Sequence, residues 1–348
     1  SCALKLAMPI AVLSAMRESA QFHISVKGGR FLENMAKADT IVFDKTGTLT
    51  YATPTVAQIV PFGGRSASEM LRLAACLEEH YPHSIANAVV AEAKKRGLDH
   101  QEYHSQVQYI VAHGISSMVD GHKVIIGSAH FVFEDEHCVV PEEEQDRFDA
   151  LDPSYSHLYL CIGGSLAAVL CISDPLRAEA PEAIKALHDC GITNVVMMTG
   201  DNHRTAQAVA KAVGVDEVHA EVLPEDKANF IRQARQRGHV VIMVGDGVND
   251  SPALSEADVG IAISTGAAIA QEIADITVSS EDLMALVTLR RLSCALMDRI
   301  HANYRFIIGF NCGLIGLGLA GILPPTTSAL LHNTSTLAIS MKSMTNLL

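Results

Sequence analysis

The stretch Thr40-Ile-Val-Phe-Asp44-Lys-Thr-Gly-Thr-Leu-Thr50 decides how the rest of the chain is organised. Its first four residues are largely apolar and predict a short buried strand that delivers the carboxylate of Asp44 to its carboxyl end. Gly47 allows a sharp backbone turn just after the strand. The hydroxyls of Thr46 and Thr48, with nearby amides, can hold a phosphate group. The stretch therefore predicts a strand, a turn and a carboxylate nucleophile in one place.

Two further apolar runs repeat this pattern. Residues 194–198 are followed by Thr199-Gly-Asp201, and residues 239–244 are followed by Gly245-Asp246-Gly247. Ligand sites gather outside the carboxyl ends of the strands in open parallel sheets, so the three turns should converge. Helical patterns lie between the runs, as right-handed crossovers require. The chain is therefore predicted to contain an α/β, Rossmann-like domain.

The segment 58–164 interrupts this alternation of strands and helices. It contains helical patterns at 67–79 and 84–96, followed by strand-like segments around 106–127 and 157–170. The first strand of the parallel sheet finds its partners only after this segment. An inserted α+β domain is therefore expected.

Composition excludes some classes of partner. The 348 residues include 39 Asp and Glu against 26 Lys and Arg, which argues against a nucleic-acid partner because phosphate backbones attract clustered cations. Charged residues make up 19% of the chain, below the roughly 25% usual in soluble domains, and the mean hydropathy is +0.21. The 8 cysteines form no Cys-x-x-Cys pair, so neither a disulfide framework nor a zinc ribbon is indicated.

The apolar surplus is concentrated near the two ends of the sequence. Residues 306–341 carry no charge, and Pro324-Pro325 divides them. The pieces 306–323 and 326–347 each approach the ~20 residues that cross a bilayer, with a buried hairpin of a soluble domain as the alternative. Arginines just before the first piece predict a cytoplasmic side there. Residues 4–16 are interpreted as the end of a truncated membrane helix, with a short amphipathic helix as the alternative.

Phosphoryl transfer to a carboxylate needs a nucleophile, a neutralising cation and fixed donors around the phosphate. Thr199 and Asp201 supply a hydroxyl and a carboxylate, and Lys227 supplies a positive charge. Oxygen ligands that suit Mg²⁺ come from three more side chains, Asp246, Asn249 and Asp250. An isolated Gly-Asp-Gly is usually an ordinary turn. The complete set, placed at strand ends, favours the chemical interpretation.

Asp44-Lys-Thr-Gly-Thr-Leu-Thr50 resembles the signature of P-type ATPases, which belong to the haloacid dehalogenase-like superfamily. Further motifs of that family are matched by Thr199-Gly-Asp201, Asp174-Pro-Leu-Arg177, Lys227 and residues 245–252. The chain resembles the heavy-metal-transporting class more narrowly, on the two candidate spans, the opening Ser1-Cys2-Ala-Leu and the stretch 78–86. The resemblance implies ATP-driven transport of a transition-metal cation through an aspartyl phosphate.

The resemblance assigns roles to particular residues. The catalytic set would be Asp44, Thr46, Thr199, Asp201 and Lys227, with Lys45 and Asn249 supporting phosphate and Mg²⁺. Mg²⁺ would be held by Asp44, Thr46, Asp246 and Asp250. ATP would be bound by Glu78, His83, Gly114 and Gly127, and the transported Zn, Cu, Co or Ni ion by Cys2 and His332. The chain departs from the family pattern at Ser1, Ser84 and Ala112, where the family has proline, proline and glycine.

The expected domains are a truncated membrane helix at 1–20, a phosphorylation domain at 21–57 and 165–290, the inserted nucleotide-binding domain at 58–164 and a transmembrane hairpin at 300–348. No Thr-Gly-Glu occurs in the sequence, so an actuator domain is not expected in this chain. The expected setting is a multi-pass protein of the plasma membrane with cytoplasmic soluble domains, and a metallochaperone is a further candidate partner. A soluble phosphatase of the same superfamily and a non-catalytic, nucleotide-binding fragment are the alternatives.

Overall fold

The structure is a computed structural model that describes residues 2–51, 53–80, 84–98, 104–110, 114–246, 250–263, 272–279 and 282–348, with the backbone alone at 2–5 and 104–110. Within these ranges the strands are β1 (Ile24–Val26), β2 (Thr40–Asp44), β3 (Thr55–Pro61), β4 (His104–Ile110), β5 (Gly114–Val119), β6 (His122–Gly127), β7 (Ser156–Ile162), β8 (Ser165–Ser173), β9 (Asn194–Met198), β10 (Glu217–His219), β11 (Val241–Gly245), β12 (Val259–Ile263) and β13 (Ile276–Val278).

The helices of the same ranges are α1 (Cys2–Gln21), α2 (Gly29–Lys37), α3 (Ala67–Glu78), α4 (Ser84–Lys95), α5 (Gln145–Asp149), α6 (Ala180–Asp189), α7 (His203–Val213), α8 (Pro224–Gln236), α9 (Ser251–Glu256), α10 (Met284–Leu319) and α11 (Pro325–Ser343). Shorter helical turns occur at Lys45–Leu49, His130–Asp135 and Glu142–Glu144.

Seven strands form one sheet in the order β1-β13-β12-β11-β2-β9-β10, called here the parallel sheet. Its neighbours are parallel except for β1 and β13. The strand β2 lies between β11 and β9, with Phe43 opposite Val244 and Met197. Every residue of β2 is buried, which explains its continuous apolar run. The predicted α/β fold is confirmed, and the three predicted strands are adjacent.

Six antiparallel strands form a second sheet, called the inserted sheet, in the order β3-β8-β7-β6-β5-β4. The helices α3 and α4 pack on it around Leu71, Leu77 and Val89. A second apolar cluster, which includes Phe62 and Phe131, also packs on this sheet.

The edges of the inserted sheet differ from the expected boundaries of 58–164. The strand β3 already begins at Thr55, and β8, whose residues were expected in the phosphorylation domain, pairs with both β3 and β7. The reason is that β7 and β8 form a hairpin, so the apolar pattern that begins at 157 continues beyond residue 164. The inserted unit therefore extends from β3 to the end of β8.

The helices α1, α10 and α11 pack together beside the parallel sheet. The helix α10 begins at Met284, well before the expected hairpin at 300–348, because its first turns pack on the parallel-sheet core through Leu286, Leu289 and Leu292. In the part of the chain that the structure describes, no helix has both the length and the apolar character needed to cross a membrane. The predicted membrane spans are not confirmed.

Candidate active site

Asp44 is the last residue of β2, and the chain turns immediately after it. Gly47 has φ 74°, a left-handed conformation that glycine adopts without strain. Its N–H donates to Thr50 Oγ1 at 2.9 Å, and the N–H of Thr50 donates to the Lys45 carbonyl at 3.2 Å. These bonds close the turn and hold Asp44 at the carboxyl edge of the parallel sheet. Thr46 lies in the turn and is half-buried.

Lys227 lies between two carboxylates. Its Nζ donates to Asp44 Oδ1 at 2.5 Å and to Asp250 Oδ1 at 2.7 Å. Lys227 reaches them from the first turn of α8, whereas Asp250 immediately precedes α9. All three side chains are buried. The structure thus brings together residues from three separate elements, as the sequence predicted.

The ionisation of this trio is set by burial and by mutual charge. Burial and the charge of Asp250 raise the pKa of Asp44 to about 6, although Lys227 opposes the shift. Burial also raises the pKa of Asp250, again against the influence of Lys227. For Lys227, burial disfavours the charge, but the two carboxylates outweigh it and raise the pKa. Lys227 is therefore a cation, and its positive charge is divided between the two carboxylates that it contacts.

A second ion pair lies beside the first. Lys45 Nζ donates to Asp201 Oδ2 at 2.5 Å and to Ser156 Oγ at 2.6 Å. Thr199 Oγ1 also donates to Asp201 Oδ2, at 3.1 Å. Burial alone would raise the pKa of Asp201, but Lys45 and the two hydroxyls outweigh it and lower the pKa. Asp201 therefore remains an anion, held by Lys45 and Thr199.

The carboxylates beside Lys227 have the donor chemistry of a Mg²⁺ site. Asp246 directly follows β11, and its charge contributes to the raised pKa of Asp250. Asp250 Oδ2 is buried and, within the described part of the chain, has no hydrogen-bond partner. A Cβ added at Gly245 would lie 2.6 Å from that oxygen, so only glycine leaves room for it. Hard oxygen ligands and one uncommitted buried oxygen fit Mg²⁺. Asn249 lies outside the described residues.

Asp174 and Arg177 support the turn that follows β2. Arg177 is buried, and its Nε donates to the carbonyls of Thr48 at 2.9 Å and Thr50 at 3.2 Å. Asp174 lies close enough to Lys45 for that charge to lower its pKa, but burial dominates and the net shift is upward. Sequence reasoning noted both residues only as part of a family motif. The contacts of Arg177 show that it braces the turn.

The predicted nucleotide residues belong to the inserted sheet and its helices. Gly114 in β5 lies opposite Gly127 in β6. A Cβ at Gly114 would come within 2.4 Å of the Phe131 ring and 2.5 Å of the Ile126 carbonyl, so packing explains this glycine. Glu78 is buried at the end of α3. His83 lies outside the described residues, so this predicted set stays a prediction.

The predicted ligands of a transported metal, Cys2 and His332, also stay a prediction. His332 in α11 has its Nδ1 2.9 Å from Asn311 Oδ1 in α10, which is a contact between neighbouring helices. The side chain of Cys2 is outside the described atoms. Across the described ranges, no group of three or more His, Cys, Asp or Glu side chains could hold a metal ion.

The parallel sheet and the carboxylate–lysine cluster beside its strand ends have the architecture of an α/β enzyme site. The profile of the haloacid dehalogenase-like hydrolases matches residues 38–258, which is more than half of the chain. The chain belongs to the haloacid dehalogenase-like hydrolase family.

Its sequence relatives are named as metal-transporting pumps. The chain is 37% identical over 350 residues to the "probable copper-exporting P-type ATPase V" of Mycobacterium tuberculosis (strain CDC 1551 / Oshkosh), covering 99% of this chain and 44% of the relative. It is 36% identical over 341 residues to the "zinc-exporting P-type ATPase" of Mycobacterium marinum (strain ATCC BAA-535 / M), covering 97% and 46%. The chain thus spans less than half the length of these relatives. The predicted resemblance to heavy-metal-transporting P-type ATPases is confirmed.

The solved structures agree with the sequence relatives. A crystal structure of a zinc-transporting PIB-type ATPase in the E2.Pi state superimposes with a TM-score of 0.69 at 31% identity. The match covers 99% of this chain and 55% of that one. Both sheets and the helices beside them therefore follow the fold of that pump.

Proposed function

We propose that this chain is the catalytic part of an ATP-driven pump for a transition-metal cation, and that Asp44 is its phosphate acceptor. The observation that carries the proposal is the buried Lys227 between Asp44 and Asp250, which are contributed by three separate elements. A lysine at this position neutralises an attacking carboxylate and a transferring phosphoryl group in turn. The proposal extends to ATP bound by Glu78, His83, Gly114 and Gly127.

The proposed reaction is in-line phosphoryl transfer. An oxygen of the ionised Asp44 forms a bond to the γ-phosphorus of ATP, and the bond between that phosphorus and the β,γ-bridging oxygen breaks. ADP leaves with the electron pair of the broken bond. Lys227 keeps Asp44 in place before the attack, while the turn amides after β2 supply donors to the phosphoryl oxygens. Thr199 would join them by turning its hydroxyl from Asp201 to the phosphate. The product is an aspartyl phosphate.

We assign the divalent cation to the carboxylate side of this site. Asp44, Asp246 and Asp250, with Thr46, would hold Mg²⁺, which when bound would neutralise charge on the phosphate oxygens. Asp201 does not belong to this group, because Lys45 and Thr199 already occupy its Oδ2. Asp44, Asp246 and Asp250 would therefore serve the cation, whereas Asp201 serves the ion pair with Lys45.

The cargo and the cellular setting are also proposals. The two relatives above are named for copper and zinc export at nearly equal identity, which supports a transition metal and leaves open which one. The same names support an integral, multi-pass membrane protein whose α/β units face the cytoplasm, at the plasma membrane. Cys2 and His332 are the candidate ligands of the transported ion, and a metallochaperone is the candidate donor.

Substitution of Asp44 tests the proposal directly. With γ-labelled ATP and Mg²⁺, we expect acid-stable label on the wild-type chain and none on Asp44→Asn, because an amide oxygen is a far weaker nucleophile. Asp39→Asn is the matched control, since Asp39 immediately precedes the same strand, is half-exposed and bonds to Thr40 and His239. Normal labelling of Asp44→Asn, or equal loss in both variants, would contradict the assignment.

A further inference from the structure

One contact joins the inserted sheet to the residue that follows Asp44. Ser156 is the first residue of β7, and its Oγ accepts a hydrogen bond from Lys45 Nζ at 2.6 Å. Its hydroxyl also contributes a hydrogen bond that favours the charged form of Asp201. Lys45 and Ser156 are exposed by only 3% and 8%, so the contact is shielded from water. Ser156, Lys45 and Asp201 thus form a three-residue cluster that spans the two sheets, with Lys45 and Ser156 buried and Asp201 half-buried.

The position of Ser156 is fixed independently of Lys45. Thr205 Oγ1, in the first turn of α7, donates to the Tyr155 carbonyl at 3.0 Å. Asn202 Nδ2 donates to the Tyr159 hydroxyl at 3.3 Å. The beginning of β7 is therefore fastened on both sides of Ser156 to the start of α7, which follows Asp201 in sequence.

The backbone of Lys45 is part of the turn that holds Asp44. Its carbonyl accepts the N–H of Thr50, while its amine bonds to Asp201 and Ser156. A buried ammonium keeps its charge only with well-placed acceptors, and loss of one acceptor shifts the group or admits water. A substitution of Ser156 should therefore change the position of Lys45 and, through the turn, that of Asp44.

We propose that Ser156 is a positioning residue for phosphoryl transfer: its hydroxyl fixes the Lys45–Asp201 pair, so that Asp44 is aligned only when β7 lies against α7. The inference rests on the proposed function and deepens it. Ser156 acts through Lys45 and does not touch the reacting atoms. The alignment of Asp44 would then depend on how the inserted sheet packs against the parallel-sheet unit.

The test compares Ser156→Ala with Ser156→Thr and Ser165→Ala in the full chain. Ser156→Thr keeps the hydroxyl, and Ser165 lies at the opposite end of the β7–β8 hairpin. At saturating Mg-ATP we expect Ser156→Ala to form the phosphoenzyme roughly tenfold more slowly, as expected when a hydrogen bond to a charged group is lost. Nucleotide affinity should stay unchanged, and Ser156→Thr should restore much of the rate.

A second readout does not depend on activity. The rate at which an amine-acylating reagent modifies each lysine is measured by mass spectrometry, and Ser156→Ala should raise that rate at Lys45 but not at Lys227. Unchanged phosphorylation and unchanged Lys45 reactivity would overturn the inference, as would equal effects from Ser165→Ala. A wild-type chain that takes no label would instead refute the proposed function, and Lys45 reactivity would still decide the positioning contact.

Discussion

Asp44 combines two properties that oppose each other. It is buried, which disfavours its charge, and it is hydrogen-bonded to Lys227, which favours that charge. The balance, with the repulsion from Asp250, leaves its pKa at about 6. A nucleophilic carboxylate must be ionised, so this residue is poised near the pH at which it changes state. Cations that join the site should favour the ionised form.

The labelling rate should therefore fall as pH decreases through about 6 at low Mg²⁺, because protonated Asp44 cannot attack. Higher Mg²⁺ should move this acid limb to lower pH, since a bound cation stabilises the carboxylate. The measurement is single-turnover labelling between about pH 5 and pH 8 at two Mg²⁺ concentrations, with nucleotide affinity measured in parallel. A rate that stays flat across this range, or a limb that ignores Mg²⁺, would contradict the prediction.

The residues of the site differ in whether the sequence alone could predict them. Asp44 and Asp201 could be predicted together because parallel strand ends share one edge of a sheet. Lys227 lies on α8 and was predicted only as the cation that phosphoryl transfer needs. Ser156 could not, because its partner Lys45 is 111 positions away and belongs to the other sheet. Nothing in the residues around Ser156 indicates chemistry, and the contact exists only through the seating of β7 on α7.

At the scale of elements, α7 shows how a helix end connects two parts of the molecule. Asn202 Oδ1 accepts the N–H of Thr205 at 3.0 Å and so caps the helix. The same side chain donates to the Tyr159 hydroxyl in the inserted sheet. The helical pattern at 204–213 in the sequence predicts the helix to within one residue of its observed start at His203. It did not predict the cap's second contact, because that depends on tertiary packing.

Asn202→Ala should lower the free energy of unfolding by about 1–2 kcal/mol, through the lost cap and the lost contact with Tyr159. Asn202→Ser should recover the cap but not the longer reach to Tyr159, so its loss should be smaller. Chemical denaturation gives the energies, and hydrogen exchange at the β7 amides reports the contact. Equal losses in the two variants would show that capping contributes nothing here.

Element boundaries failed where one apolar pattern continued into a neighbouring unit. The predicted edge at 164 fell within the β7–β8 hairpin, because a tight turn between two strands of one sheet resembles a linker in sequence. The helix α10 was predicted to begin near residue 300 but begins at Met284, because its first turns are largely buried and pack on the parallel-sheet core. Composition alone does not mark where such a helix begins.

On the scale of the whole molecule, α10 connects the α/β units to the helices beside them. Near its start, the buried Arg290 donates to the Cys190 carbonyl at 3.2 Å and to the Met35 carbonyl. Further along, Arg299 donates to the Thr345 carbonyl at 2.5 Å, next to a segment whose N–H groups bond to Glu18 in α1. The single helix α10 thus contacts the parallel-sheet unit near its start and, further along, the segment after α11 that bonds to α1.

Arg290 is the strongest candidate for the anchor of that connection. Arg290→Ala should lower the free energy of unfolding by about 2–4 kcal/mol. The reason is that two hydrogen bonds from a charged donor are lost, and the Cys190 and Met35 carbonyls lose this donor in a buried site. The free energy of unfolding of Arg290→Lys should lie between those of the wild type and Arg290→Ala, since a single ammonium cannot reproduce the guanidinium fork. Arg291→Ala is the matched control, because the next residue is exposed. Denaturant unfolding measures the energies, and faster hydrogen exchange confined to α2 and the end of α6 would locate the effect. If Arg290→Ala and Arg291→Ala prove equally mild, the apolar contacts of Leu286, Leu289 and Leu292 alone hold α10 to the sheet.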